Sequence, residues 1–282
     1  MAALRFGIVG TGQWSRHSHI PGATASTAVE FVGAIGRHDD FDAWLDSVDA
    51  VGFAVPPDVE SELALRAVRA GKHVLLDKPI ATDVPTAERL ASAVSDAGVA
   101  SIVFLTRRFI EPVAQWLDEA RATGGWTFGR TEMISDALAG MPNPGWRAER
   151  GGLWDVGPHT LSVLLPVLGP ARTVSATRDS RGLVVTTLAH DAATSVMTTT
   201  IGSPVGSGGD TFLFVGEPGR TAYPPLDEPS GRADRAYSRA IDALVAQVGA
   251  PGHPCDVHFG AEIVRVLDAA ERSIDAGSPV DL

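Results

Sequence analysis

Phe6-Gly7-Ile8-Val9-Gly10-Thr11-Gly12-Gln13-Trp14-Ser15 reads as an apolar strand running straight into a G-x-G-x-x-S turn. Such a turn, where it opens a helix, is a form of the dinucleotide fingerprint. Two glycines let the backbone bend and approach a pyrophosphate, and the free N–H groups and dipole of the helix start favour an anion. Gly10, Thr11, Gly12, Gln13 and Trp14 are therefore candidate cofactor contacts. Ser15 stands where a third glycine would allow close packing of helix on strand, a task that a small residue also fills.

Outward from this turn, short apolar runs alternate with amphipathic stretches, the pattern of a parallel sheet covered by helices. Strands are expected at Arg5–Val9, Glu30–Ile35, Ala50–Ala54, His73–Leu76 and Ala100–Leu105. A helix from Asp58 is expected to bury Val59, Leu63 and Ala67 and to end at Gly71; the next, capped at Thr82 or Asp83, ends at Gly98. Only the stretch from Gly36 to Asp49 separates the second and third strands, so the crossover helix there is about two turns or missing. At the end of the second strand, Arg37 suits a 2′-phosphate, which favours NADP; Asp39 or Asp40 reaching the ribose would favour NAD.

Beyond Pro112 the character changes. A helix through Trp116, a strand near Thr127–Ile134, a Gly/Pro loop from Ala139 to Gly145 and a helix from about Leu153 to Leu168 precede Thr- and Val-rich runs between Ala171 and Ala222. Those runs read as an antiparallel meander, and two helices, about Ala233–Val248 and Val257–Ala276, close the chain. The expected fold class is α/β: a doubly wound Rossmann domain over residues 1–122, then an α+β domain over 123–282 with an open, mainly antiparallel sheet.

The 282 residues are 44% hydrophobic and 20% charged, which is globular and not disordered composition. With 23 Lys and Arg against 34 Asp and Glu the formal charge is −11, which opposes binding to nucleic acid or anionic membranes. Cys255 is the single cysteine, and no Cys/His spacing suits zinc, so neither a disulfide framework nor a metal site is expected. Ala2-Ala3-Leu4-Arg5-Phe6-Gly7-Ile8-Val9 reads directly as a strand and no window resembles a membrane span; the expectation is a cytoplasmic protein.

Several further segments carry a family resemblance. Val48-Asp49-Ala50-Val51 leads to Ala54-Val55-Pro56-Pro57, Ala70 to Leu76 leads to Asp77-Lys78-Pro79, and Arg108-Phe109-Ile110-Glu111-Pro112 and Gly151-Gly152-Leu153-Trp154-Asp155-Val156-Gly157-Pro158-His159 follow. With the fingerprint, these resemble the glucose–fructose oxidoreductase / inositol dehydrogenase / rhizopine-catabolism (Gfo/Idh/MocA) family of two-domain NAD(P)-dependent oxidoreductases over nearly the whole chain. The resemblance implies hydride transfer between a nicotinamide and a hydroxyl or carbonyl carbon of a sugar, cyclitol or related polyol. It implies that Lys78, Asp155 and His159 are the catalytic residues, Lys78 and His159 converging on one nicotinamide ring. It adds Val55, Pro56, Lys78, Pro79, Trp146 and Arg147 to the cofactor contacts, and a homodimer or homotetramer formed through the C-terminal sheet.

The chemistry is independently sensible. An ammonium after a strand polarises a carbonyl, and an imidazole exchanges the hydroxyl proton near neutral pH. Asp155 and His159 are spaced i, i+4, the same face of one helix. Three positions depart from the family's pattern: Glu60 replaces a usual histidine, Asp77 a usual glutamate, and Ser162 a frequent aspartate. A catalytically silent NAD(P)-binding regulator or sensor of the same fold is the alternative reading.

Overall fold

The computed structural model describes residues 3–141, 144–226 and 233–282. The chain forms two compact units, Met1–Glu111 with Leu226–Val264, and Pro112–Pro225 with Arg265–Leu282. The division is not the single cut after residue 122 read from the sequence, because a C-terminal helical segment returns to the first unit. Pro142 and Asn143, within the expected Gly/Pro loop, lie outside the described residues.

In the first unit β1 (Leu4–Val9), β2 (Val29–Ile35), β3 (Ala50–Phe53), β4 (His73–Leu76) and β5 (Ser101–Val103) form a parallel sheet in the order β2-β1-β3-β4-β5. All four β3 residues are buried, as are Val74, Leu75 and Leu76 of β4, which is why these strands read as apolar runs and not as alternation. After β1 the chain makes a π turn, Ser15–His19, and then α1 (Ile20–Ala25). The short crossover holds α2 (Phe41–Leu45), capped by Asp40, whose side chain takes the Ala43 N–H. A Cβ on Gly7 would lie 2.2 Å from the Trp44 ring, so one indole laid on β1 covers what a longer helix would.

α3 (Pro57–Arg69) buries Pro57, Glu60, Ser61, Ala64, Leu65, Ala67 and Val68. The expected face is thus rotated: Val59 is 41% exposed and Glu60 points inward. α4 (Val84–Ala97) starts on Asp83, whose carboxylate takes the Thr86 N–H, and stops at the left-handed Gly98.

The second unit opens with α5 (Glu111–Thr123) and β6 (Trp126–Ile134). α6 (Trp146–Asp155) and α7 (Gly157–Leu168) replace the single expected helix, and α7 packs on β6. With β7 (Thr173–Arg178), β8 (Val184–Ala189), β9 (Thr194–Thr200), β10 (Gly209–Gly216), β11 (Gly219–Ala222) and β12 (Val280–Asp281), the sheet order is β11-β10-β6-β9-β8-β7-β12. β7, β8 and β9 are the expected meander, whereas β10 pairs with β6, and β6 with β9 runs parallel. The edge strand β12 has no counterpart in the sequence reading.

α8 (Ala233–Ala246) packs in the first unit against α1, the π turn and β4 through Ala236, Tyr237, Ala240, Ile241 and Leu244. α9 (Val257–Ala276) follows, its first residues counted with the first unit and the rest with the second. Among the described residues no helix is long and apolar enough to cross a membrane, and no group of three or more His, Cys, Asp or Glu side chains could hold a metal ion.

Candidate active site

The end of β1 shows why the glycine turn needs its first glycine. Gly10 sits at φ +120°, and a Cβ there would lie 2.3 Å from the Ala54 carbonyl oxygen. Its N–H donates to Ile35 O at 2.8 Å. A Cβ on Gly12 would meet nothing within 4 Å, so the turn is floored by backbone and open above. Buried Ser15 donates its Oγ–H to Gly10 O at 2.6 Å, tying the helix start back to the turn. Thr11, Gly12, Gln13 and Trp14 are exposed. This arrangement fits the pyrophosphate of a dinucleotide held by backbone N–H groups.

Val55 and Pro56 follow β3, and Lys78 and buried Pro79 follow β4 across a cis peptide. Because β1, β3 and β4 are parallel neighbours, all three segments leave the same carboxyl edge of the sheet, where open α/β sheets bind ligands. Lys78 is half-buried, and its N–H donates to Asp77 Oδ1 at 2.8 Å.

At the end of β2 the Asp39 carboxylate takes the Gly36 N–H at 2.7 Å. A Cβ on Gly36 would be 3.3 Å from Thr11 Oγ1 and 3.9 Å from Asp39 Oδ2, so the acid stands beside the glycine turn. Exposed Arg37 donates from Nε to His38 Nε2 at 3.1 Å.

Beneath the Lys78 turn lies a polar set that the sequence reading did not assemble. His19, Glu60 and Tyr237 are all within 1% of full burial. His19 Nε2 is 3.8 Å from Asp77 Oδ2, and its ring lies 4.1 Å from the Tyr237 ring. Burial holds the His19 imidazole down at about 4 against the pull of Asp77. Burial, and then the Asp77 carboxylate, push Glu60 well above the usual carboxylate range; the same two causes, with Glu60, push the Tyr237 hydroxyl up. A signal for His19 was present: Ser15, Ser18, His19 and Gly22 recur at helical spacing and form the buried face.

In the second unit Gly151 at φ +67° kinks α6, and a Cβ on Gly152 would lie 2.5 Å from Thr200 Cα, so the Gly-Gly pair lets α6 lie directly on β9. Asp155 closes α6, Val156 breaks the regular geometry at φ −106°, and His159 belongs to α7. The expected single face is therefore two helix ends meeting at a break. Buried Asp155 takes a hydrogen bond from Arg147 Nε at 3.2 Å, and the Arg147 guanidinium lies 4.8 Å from the Trp146 ring centroid. Ser162 turns its hydroxyl onto His159 O at 2.8 Å. The structure thus gathers Trp146, Arg147 and Asp155 in one unit, and the fingerprint, Arg37, Val55, Pro56, Lys78 and Pro79 in the other.

Residues 38–105 match the Gfo/Idh/MocA family model, described as an oxidoreductase family with an NAD-binding Rossmann fold. The chain is 30% identical over 162 residues to dTDP-3,4-didehydro-2,6-dideoxy-alpha-D-glucose 3-reductase of Actinomadura kijaniata, covering 54% of this chain and 45% of that one. It spans about half the length of the curated relatives it matches. Among solved structures, a putative myo-inositol dehydrogenase from Sinorhizobium meliloti 1021 superposes with TM-score 0.83 at 20% identity over 99% of both chains. A levoglucosan dehydrogenase complexed with NADH and levoglucosan superposes with TM-score 0.82 at 18% identity over 99% of both. These two likenesses concern the fold.

Proposed function

We propose, from the premise that the chain belongs to the Gfo/Idh/MocA family, that it is an oxidoreductase moving a hydride reversibly between a nicotinamide cofactor and a hydroxyl- or carbonyl-bearing carbon of a sugar, cyclitol or related polyol. The observation that supports this reading is the carboxyl edge of the parallel sheet, where the open Gly10–Gly12 turn and the Lys78-Pro79 segment leave β1 and β4, the strands on either side of β3. When bound, the nicotinamide supplies the hydride chemistry.

The protein's own groups place the substrate and handle its proton. Lys78 polarises the carbonyl or stabilises the alkoxide with its ammonium. His159 takes the hydroxyl proton in oxidation and returns it in reduction. Asp155, held by Arg147, hydrogen-bonds the substrate or orients the imidazole. Gly10, Thr11, Gly12, Gln13 and Trp14 line the pyrophosphate side, Val55, Pro56 and Pro79 flank the ring, and Trp146 and Arg147 complete the surroundings.

NAD is the cofactor that the end of β2 supports best. Asp39 sits beside Thr11 and Gly36, where a carboxylate accepts ribose hydroxyls and repels a 2′-phosphate, and this outweighs the attraction of Arg37 that favoured NADP. We further read the chain as a cytoplasmic homo-oligomer joined through the outward face of the second sheet, where Val185 and Val215 are exposed.

The test is a fluorescence titration with NADH and NADPH, followed by an absorbance screen of D-galactose, levoglucosan and myo-inositol with NAD. Tight NADH binding, turnover on a member of the panel and loss of turnover in Lys78→Ala and His159→Ala are expected. Binding without turnover on any polyol would identify the sensor instead.

A further inference from the structure

Past β4 the sheet stops serving the main chain. The ladder to β3 ends with Leu75 opposite Gly52, and the ladder to β5 ends with Leu76 opposite Val103, where Leu76 O takes the Phe104 N–H at 2.7 Å. Lys78 follows after this, and its N–H donates to the side chain just before it, Asp77 Oδ1, at 2.8 Å. The other oxygen, Asp77 Oδ2, lies 3.8 Å from His19 Nε2, and only 12% of the Asp77 side chain is exposed. His19 is wholly buried, its ring centroid 4.1 Å from that of Tyr237 and 5.5 Å from that of Phe104, so the group behind the carboxylate is itself held in place. The reaction as read above gives this carboxylate no task.

We infer that Asp77 is a positioning residue, whose short carboxylate holds the Lys78 N–H and so fixes the main chain from which the ammonium acts. The inference rests on the assignment of Lys78 to the reaction. A lysine head rides on a flexible stem, so it is aimed well only where its own Cα is fixed. On one side of Lys78 stands buried β4, and on the other Pro79, Ile80 and Ala81 are buried. Pro79 has no N–H, so the Lys78 N–H is the donor by which the turn between these anchors is tied. Aspartate suits the task, because its side chain reaches a main-chain N–H close by along the chain. A glutamate, usual at this place, would carry its carboxyl one methylene farther out and have one more torsion to freeze. The role needs an acceptor oxygen and not a charge. An amide reproduces it, and a hydrocarbon of the same branching does not.

The experiment compares the native chain with Asp77→Asn, Asp77→Leu and Lys78→Ala. It reads amide hydrogen exchange at position 78, the urea midpoint, NADH affinity by fluorescence, and kcat and KM with NAD and the best polyol of the panel. In the native chain the Lys78 amide exchanges slowly. Asp77→Leu is expected to speed that exchange and to lower the kcat of the folded enzyme, each by about tenfold, while NADH affinity stays within about twofold. Asp77→Asn restores most of both losses. A role in stability alone would lower the urea midpoint of Asp77→Leu and leave its kcat and its Lys78 exchange native, which overturns the inference. Rapid exchange of the native Lys78 amide, or an Asp77→Asn enzyme with tenfold lower kcat, overturns it too, even if Asp77→Leu does not fold. Full turnover in Lys78→Ala would instead remove the assignment of Lys78, leaving hydrogen exchange at position 78 to decide whether Asp77 holds the turn.

Discussion

Arg147 donates from Nε to Asp155 Oδ1 at 3.2 Å while its guanidinium lies over the Trp146 ring. The arginine expected beside a cofactor or substrate therefore also serves a buried acid eight residues further on, across the Gly151 kink. A planar guanidinium can stack and donate at once, and the kink brings the two ends of α6 within reach.

Arg147→Ala is expected to cost about 1–3 kcal/mol, because the Asp155 carboxylate, with 9% of its side chain exposed, loses that cation. Arg147→Lys should recover only part, since an ammonium cannot lie flat on the indole while donating sideways. Urea denaturation of the three proteins measures this; equal midpoints for native chain and alanine variant would show the pair to be energetically idle.

Asp39→Ser should lower NADH affinity about tenfold and leave NADPH binding unchanged or tighter, since one charged acceptor for the ribose is lost and the repulsion of a 2′-phosphate with it. Parallel fluorescence titrations decide, and a variant that keeps its NADH preference would move the choice of cofactor away from this carboxylate.

His19 titrates at about 4 when folded against an ordinary 6.5, so the unfolded chain binds the proton more readily between those values. The stability due to the neutral imidazole is complete above pH 6.5 and is lost as pH falls through 4, on the order of 3 kcal/mol. His19→Phe, which keeps an aromatic ring among Trp14, Phe104 and Tyr237, removes that share of the slope. Urea midpoints at pH 7.5 and 4.5 check it. An unchanged difference in the variant would assign the acid sensitivity to other groups.

Gly152→Ala should destabilise by about 3 kcal/mol, because the added methyl meets the main chain of β9 at Thr200, which cannot swing aside. Gly151→Ala should cost about 1–2 kcal/mol by a different route, its positive φ, since nothing lies within 4 Å of a Cβ there. Thermal or urea unfolding of the two variants ranks them, and the opposite order would mean that α6 shifts easily on the sheet.

How much of this was legible varies with the kind of signal. The inner parallel strands were readable because strands buried on both faces must be apolar throughout, as β3 and β4 are. The turn at Gly10 was readable because a positive φ and a close backbone approach admit few residues. The face of α3 was misjudged. Apolar spacing pointed to Val59 and Leu63, but Val59 is exposed and Glu60 is buried, an orientation that the spacing along the helix does not announce. The i, i+4 reading of Asp155 and His159 missed the break at Val156, which no single residue type announces.

By itself the sequence determined what depends on neighbours along the chain: the strand-turn-helix of residues 4–25, the cap at Asp83, the stop at Gly98, and the alternation in β8. Only the tertiary structure decided that α8 joins the first unit, that β6 lies between β9 and β10, that Asp39 stands beside Thr11, and that His19, Glu60, Asp77 and Tyr237 form one set. The physical reason is the range of the forces. Backbone conformation and capping act within a few residues, whereas the packing of a buried polar group is settled by whichever distant segment can satisfy it.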